Sequence, residues 1–236
     1  MQAPTLLITG CTKGIGLAIT ERFAREGFNI AGCARNVNEL KKLFTQLSTA
    51  YPKQKFFMEA CDVSNKEQLK TFANDSLLEF KNIDVLVNNA GIFLPGTVLE
   101  EAEDTFEQLI HTNLSSAYHL SRAIIPNMVK NKVGHVFNIC STASITAYTN
   151  GGSYCISKFA MLGMNNVLRE ELKGKHVKVT AVLPGATYTE SWKGSDIPKK
   201  RFIPSDDIAK LIWSAYELSG STNVEEILVR PIEGDL

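Results

Sequence analysis

The 236-residue sequence predicts an α/β fold: a doubly wound parallel sheet of about seven strands with helices on both faces. Three observations predict it. Short apolar runs alternate with segments of helical spacing along the whole chain, and strands separated by helices imply parallel crossovers. The strand-like runs are apolar throughout, as a sheet covered on both faces requires. A glycine-rich turn joins the first strand to the first helix, where open α/β sheets commonly meet a ligand.

The elements follow in order. Thr5–Thr9 (TLLIT) is a run of β-formers, and Ile15, Ala18, Ile19, Phe23 and Ala24 put a helical stripe on Ile15–Arg25. Asn29–Ala34 is a strand, Glu39–Leu47 a helix and Lys55–Ala60 a third strand. A helix spans Asn65–Phe80, with Ser64 as its cap and Glu67 three residues on. Ile83–Asn88 is a fourth strand, followed by a long helix over Ala102–Asn127 that Pro126 helps to end. His135–Ile139, Tyr154–Leu172, Val177–Leu183, Asp206–Leu218 and Glu226–Arg230 complete the alternation. No linker, repeat or low-complexity stretch divides the chain, so residues 1–236 are expected to form a single domain. Only a short lid, around 186–203, separates the sixth strand from the late helix.

Composition excludes several classes. The chain has 25 Lys+Arg against 25 Asp+Glu, with no cationic surplus for binding nucleic acid. No apolar run approaches the roughly 18–20 residues that span a bilayer, and the N-terminus lacks a secretory pattern. The five cysteines form no C-x-x-C pair, which reads as free thiols in a reducing compartment, hence a cytoplasmic protein. The four histidines show no ligand spacing, and no metal site is expected.

The first turn reads Thr9-Gly10-Cys11-Thr12-Lys13-Gly14-Ile15-Gly16. Glycines permit a tight turn and close backbone approach, and the following helix offers free N–H groups to a pyrophosphate. The alternative is a plain βα turn that happens to be glycine-rich. Nucleotide folds that prefer NAD usually carry a carboxylate about 20 residues on, at the end of the second strand. Here that strand ends Gly32-Cys33-Ala34-Arg35-Asn36. Arg35 and Lys13 are two cations with no anion, which favours a 2′-phosphate and hence NADP(H); the alternative is that both are solvated surface charges.

With this loop the chain resembles the classical short-chain dehydrogenase/reductase family, a Rossmann-type fold. Thr9–Gly16 matches its T-G-x-x-x-G-x-G and Asn88-Asn89-Ala90-Gly91 its N-N-A-G. Ser141, Tyr154 and Lys158 match the serine and the Y-x-x-x-K, Asn113 the asparagine of the fourth helix, and Pro184-Gly185 the P-G after the sixth strand. The resemblance runs to about Ala209. It implies hydride transfer between NADP(H) and a carbonyl/alcohol substrate, as in a carbonyl or 3-oxoacyl-type reductase, with Asn113, Ser141, Tyr154 and Lys158 catalytic. It places the cofactor on Gly10, Thr12, Lys13, Gly14, Ile15, Gly16, Arg35, Asp62, Asn89, Ala90, Gly91, Tyr154, Lys158, Pro184, Gly185, Thr187 and Thr189. Thr187 stands where the family usually has a branched apolar residue. The family also implies a homodimer or homotetramer built on its long helices.

Physical chemistry bears on the same residues. Tyr154 and Lys158 are four apart and share a helix face. An ammonium beside a phenol favours the phenolate, which suits general acid–base work. Ser141 follows the fifth strand, where its hydroxyl can donate to a substrate oxygen; Thr142 and Ser144 are alternative hydroxyls, and only the family spacing selects Ser141. Asn113 sits on an otherwise apolar stripe, so it is either bonded to backbone or, as the family implies, part of a proton relay. Asp62 is either the adenine-side aspartate or a loop cap. Cys140 and Cys155 are expected to be inert thiols. Phe93, Leu94, Ile145, Tyr148 and Trp192 are the expected pocket wall, and the short lid predicts an open pocket. A dinucleotide-binding redox sensor without turnover, or a methyltransferase on a related fold, are the competing readings.

Overall fold

Where a strand lies in the sheet sets how deeply its residues are buried. β1 (Thr5–Thr9), β2 (Asn29–Ala34), β4 (Val85–Asn88) and β5 (Gly134–Ile139) are buried at every position. β3 (Phe56–Ala60) and β7 (Glu226–Val229) are not. The computed structural model, which describes residues 3–189, 194 and 196–235, explains this contrast. Its parallel sheet has the order β3-β2-β1-β4-β5-β6-β7, with β6 spanning Val177–Pro184, so the partly exposed strands are the two edges. Alternate residues of one strand feed opposite cores. Leu6 and Ile8 pack with Phe23 and Trp213, whereas Leu7 packs with Phe72, Phe80 and Leu120.

The helices are α1 (Gly14–Arg25), α2 (Val37–Ala50), α3 (Lys66–Phe80), α4 (Thr105–Ile110), α5 (Ser116–Asn131), α6 (Gly152–Leu172) and α7 (Ser205–Glu217). β1 pairs with β2 on one side and β4 on the other, so the chain reverses direction across the sheet there. That reversal opens a crevice at the carboxyl ends of the strands. Among the described residues, no helix is long and apolar enough to cross a membrane.

Three local expectations change. The long helix predicted over Ala102–Asn127 is α4 and α5 separated by a π turn, His111–Ser115, centred on Asn113. Pro126 does not help to end it but lies inside α5, which runs on to a left-handed Lys132. Proline removes one backbone bond, but the buried neighbours Ile124, Ile125 and Met128 hold the helix against the sheet. The cap of α3 is Asn65, whose side chain accepts from the Glu67 and Gln68 N–H groups, while Ser64 turns its hydroxyl to Asp62. Asn at this position offers an acceptor on a longer arm.

His135 on β5 is 1% exposed. Thr180 Oγ1 donates to the Val224 carbonyl, so it accepts from His135 Nε2 at 2.8 Å; Nε2 carries the proton, and Nδ1 has no partner among the described residues. Burial, with Lys178 adding repulsion, holds this imidazole well below its usual 6.5. The folded chain therefore binds fewer protons than the unfolded one, and the stability this confers is complete above about pH 6.5 and lost as pH falls below it. The expected loss approaches about 1.4 kcal/mol per pH unit. Thermal melts from pH 8 to 5 test this: His135→Gln, which keeps an N–H for Thr180, should show a shallower fall than the parent.

Candidate active site

The glycine turn is built by a residue from the other side of the crevice. Asn89, after β4, donates through Nδ2 to the Thr9 and Gly10 carbonyls at 2.8 and 3.1 Å. Thr9 Oγ1 in return accepts from the Asn89 and Ala90 N–H groups. Gly10 has φ +69°, open to glycine but costly for other residues. A Cβ on Gly16 would lie 2.1 Å from the Gly10 carbonyl oxygen, so α1 can approach the turn only with glycine there.

Among the described residues, α1 begins without a side-chain cap. Lys13 at its cap makes no side-chain cap bond and no acid occupies the first turn, whereas Asn36 and Asn65 cap α2 and α3. Its first N–H groups, with Gly14, Ile15 and Gly16 beneath, form a cradle that a Cβ would fill and that suits a pyrophosphate. Thr189 closes over this cradle: a Cβ on Gly14 would sit 2.9 Å from Thr189 Cγ2. The segment from Pro184 is anchored by the Gly185 N–H on the Val229 carbonyl, and Thr187 is buried with its hydroxyl donating to the Gly185 carbonyl.

The carboxyl end of β2 holds one surprise. Arg35 is exposed just past β2, as expected. Lys13, however, pairs with Glu39 at 2.7 Å, and Thr12 Oγ1 donates to the same carboxylate at 3.2 Å. The expectation of two cations and no anion is therefore corrected: the anion comes from the first turn of α2, where Asn36 holds the Glu39 N–H. Asp62 Oδ1 accepts from the Ser64 N–H and hydroxyl, so one of its oxygens serves as the loop cap that was left open.

Gly91, Asn113 and Lys158 meet in space. A Cβ on Gly91 would lie 3.2 Å from Asn113 Oδ1 and 3.6 Å from Lys158 Nζ. Lys158 is 6% exposed, donates to the Ile139 carbonyl at 2.9 Å, and lies 5.9 Å from the Tyr154 ring centroid. An ammonium has three donors, so others remain for a ligand. Asn113 forms a closed pair with Ile92, accepting its N–H at 2.8 Å and donating to its carbonyl at 3.0 Å, and also donates to Ser157 Oγ. Its side chain thus takes the backbone-bonded role left open by the sequence, and the π turn delivers it there.

The structure also separates Ser141 from Ser144 after β5. Ser144 is 1% exposed and accepts the Ser141 N–H. Ser141 Oγ accepts from the Ala143 N–H at 3.1 Å, which leaves the hydroxyl proton of Ser141 to donate elsewhere. Asn88 ties β4 to β5 and α5 through Asn138 and Ser121. Cys140 is buried and its thiol is pushed up to about 11, far from thiolate at neutral pH. Cys155 is likewise buried.

Phe93 packs edge-on against the Tyr154 ring at 4.9 Å. Tyr148 belongs to a cavity of about 550 Å³ that Val98, Cys155, Ile156 and Phe159 also line, beside the helix turn that carries Tyr154. Burial, with Tyr154 and Cys155 adding, pushes the Tyr148 phenol up to about 12. Leu94 is half-buried and Ile145 exposed. Trp192 lies outside the described residues, as does part of the expected lid. Glu101 was missed: its carboxylate accepts from the Ser153 N–H at 2.8 Å and from the Ser153 hydroxyl, holding the first turn of α6 one residue before Tyr154. The two are 52 positions apart, and no local pattern marks the pair.

Residues 4–199 match the short chain dehydrogenase family. A sepiapterin reductase of Chlorobaculum tepidum is 32% identical, covering 98% of this chain and 97% of that one. A 3-oxoacyl-[acyl-carrier-protein] reductase of Haemophilus influenzae is 30% identical over 90% of each chain. The solved structure of an alcohol dehydrogenase from Thermococcus sibiricus, complexed with 5-hydroxy-NADP, superposes with a TM-score of 0.90 at 27% identity, covering 98% and 97% of the two chains.

Proposed function

Because the chain belongs to the short-chain dehydrogenase family and is an oxidoreductase of that kind, we propose that it reduces a carbonyl substrate with NADPH, or runs the reverse alcohol oxidation. The observation that carries the reading is Lys158, buried and 5.9 Å from the Tyr154 ring at the carboxyl end of the sheet. The bound nicotinamide supplies the hydride chemistry. Ser141 keeps its proton and donates a hydrogen bond from its hydroxyl to the substrate oxygen as charge develops there. Tyr154 hands its phenolic proton to that oxygen, and the Lys158 ammonium favours the phenolate left behind. Lys158 also offers a donor to the nicotinamide ribose. Asn113 acts by position: its closed pair with Ile92 fixes the wall against which Lys158 lies.

The cradle of Gly10, Thr12, Gly14, Ile15 and Gly16 takes the pyrophosphate, with Thr187 and Thr189 on its far side. Asp62, Ala90 and Gly91 border the adenosine, and Asn89 serves it by shaping the turn. Arg35 faces the 2′-phosphate. The NADP-type ligand of the Thermococcus sibiricus structure supports this preference. Arg35→Asp should lower the ratio of NADPH to NADH affinity by about tenfold or more, since it replaces a bidentate phosphate partner with a like charge. Titration of both cofactors by intrinsic fluorescence reads the ratio; an unchanged ratio removes Arg35 from the site.

The substrate class is a carbonyl compound of the 3-oxoacyl or related ketone kind. A homodimer or homotetramer in the cytoplasm fits the exposed apolar residues Ile156, Phe159 and Val167 on α6. A panel of aldehydes, ketones, 3-oxoacyl thioesters and quinones, followed by loss of NADPH absorbance, tests the activity. NADPH binding without turnover of any compound would favour the redox sensor instead.

A further inference from the structure

We infer that Glu39 sets the strictness of cofactor choice by competing with the 2′-phosphate for Lys13. The inference rests on the proposed dinucleotide site and deepens it. Glu39 is carried by the first turn of α2, immediately past Arg35, and its backbone N–H is held by the Asn36 cap. Its two oxygens are directed at the phosphate loop: one at 2.7 Å from Lys13 Nζ, the other taking the Thr12 hydroxyl at 3.2 Å. Thr12 and Lys13 both belong to the loop, so the carboxylate occupies the same donors that an adenosine phosphate would use. A carboxylate in this place also lowers the local positive potential that Arg35 and Lys13 would otherwise give a phosphate dianion.

The pair is half in solvent, with side-chain exposures of 53% for Lys13 and 31% for Glu39. An ion pair of that kind is weak and is exchanged readily for a better anion. A 2′-phosphate carries close to two negative charges and three acceptor oxygens, so it can draw Lys13 away from Glu39. A cofactor without that phosphate leaves the Lys13–Glu39 pair intact. Glu39 therefore handicaps NADP(H) relative to NAD(H), and the chain uses both cofactors more evenly than its two cations alone would allow.

The test measures binding by calorimetry with fragments that need no turnover: adenosine 2′,5′-bisphosphate, which carries the distinguishing phosphate, and 5′-AMP, which lacks it. Glu39→Gln, which keeps size and polarity on an accessible surface, should tighten the bisphosphate by about threefold to fivefold. Its 5′-AMP affinity should stay within about twofold of the parent. In a Lys13→Met background the same Glu39→Gln change should give little of that gain, since the contested cation is gone. An equal shift for both fragments, no shift, or a full gain without Lys13 overturns the competition. If neither fragment binds the parent chain, the dinucleotide reading itself fails, and the two failures are told apart by that first titration.

Discussion

Tyr154→Phe should lower kcat by about a hundredfold to ten-thousandfold, the range typical of losing a general acid–base group, while NADPH affinity stays close to that of the parent. The substitution removes one oxygen and keeps the ring. The edge-on contact with Phe93 and the position of the ring 5.9 Å from Lys158 Nζ therefore survive. Stopped-flow turnover and cofactor titration on the same preparation separate the two quantities. Turnover at the parental rate would remove Tyr154 from the chemistry, and parallel loss of cofactor binding would make its role one of holding the ligand.

The second large effect is expected at Gly16. Alanine there puts a methyl group 2.1 Å from the Gly10 carbonyl oxygen and 2.5 Å from Asn89 Nδ2. Neither neighbour can move alone, since Asn89 Nδ2 is itself bonded to the Thr9 and Gly10 carbonyls. The turn must open, which costs about 1–3 kcal/mol in the manner of an overpacked core and breaks up the cradle at the start of α1. Gly16→Ala should lower the melting temperature and weaken dinucleotide binding by about tenfold to a hundredfold. Gly163→Ala is the control: it lies inside α6 with nothing within 4 Å of the added Cβ, so it should raise stability slightly and leave binding unchanged. A Gly16→Ala chain that binds NADPH normally would show that the turn is not the phosphate cradle.

Much of the site could be read before any coordinates because its motifs are local. Tyr154 and Lys158 meet through the helix repeat, and the glycines of the first turn are required by a bend only a few residues long. The strands were legible from largely apolar runs, with an edge misplaced by one or two residues at each of β3 to β7. The errors cluster where a distant partner decides. The helix at Asn113 looked continuous by periodicity, yet Ile92 and Ser157 hold that side chain in a π turn. Pro126 looked like a terminator, yet buried packing on both sides of it carries α5 five residues further.

By itself the sequence determined the alternation of strands and helices, the parallel sheet that follows from it, and the set of residues proposed to handle a proton and a phosphate. These depend on spacing along the chain, and backbone geometry converts spacing into direction without help from elsewhere. Only the tertiary structure decided which charges meet. Glu39 faces Lys13, Glu101 holds Ser153, Asn89 ties down Gly10 and Thr189 closes over Gly14. Hydrogen bonds and ion pairs act over a few ångströms of space, and the crevice where the chain reverses across the sheet brings together groups 26 to 175 positions apart.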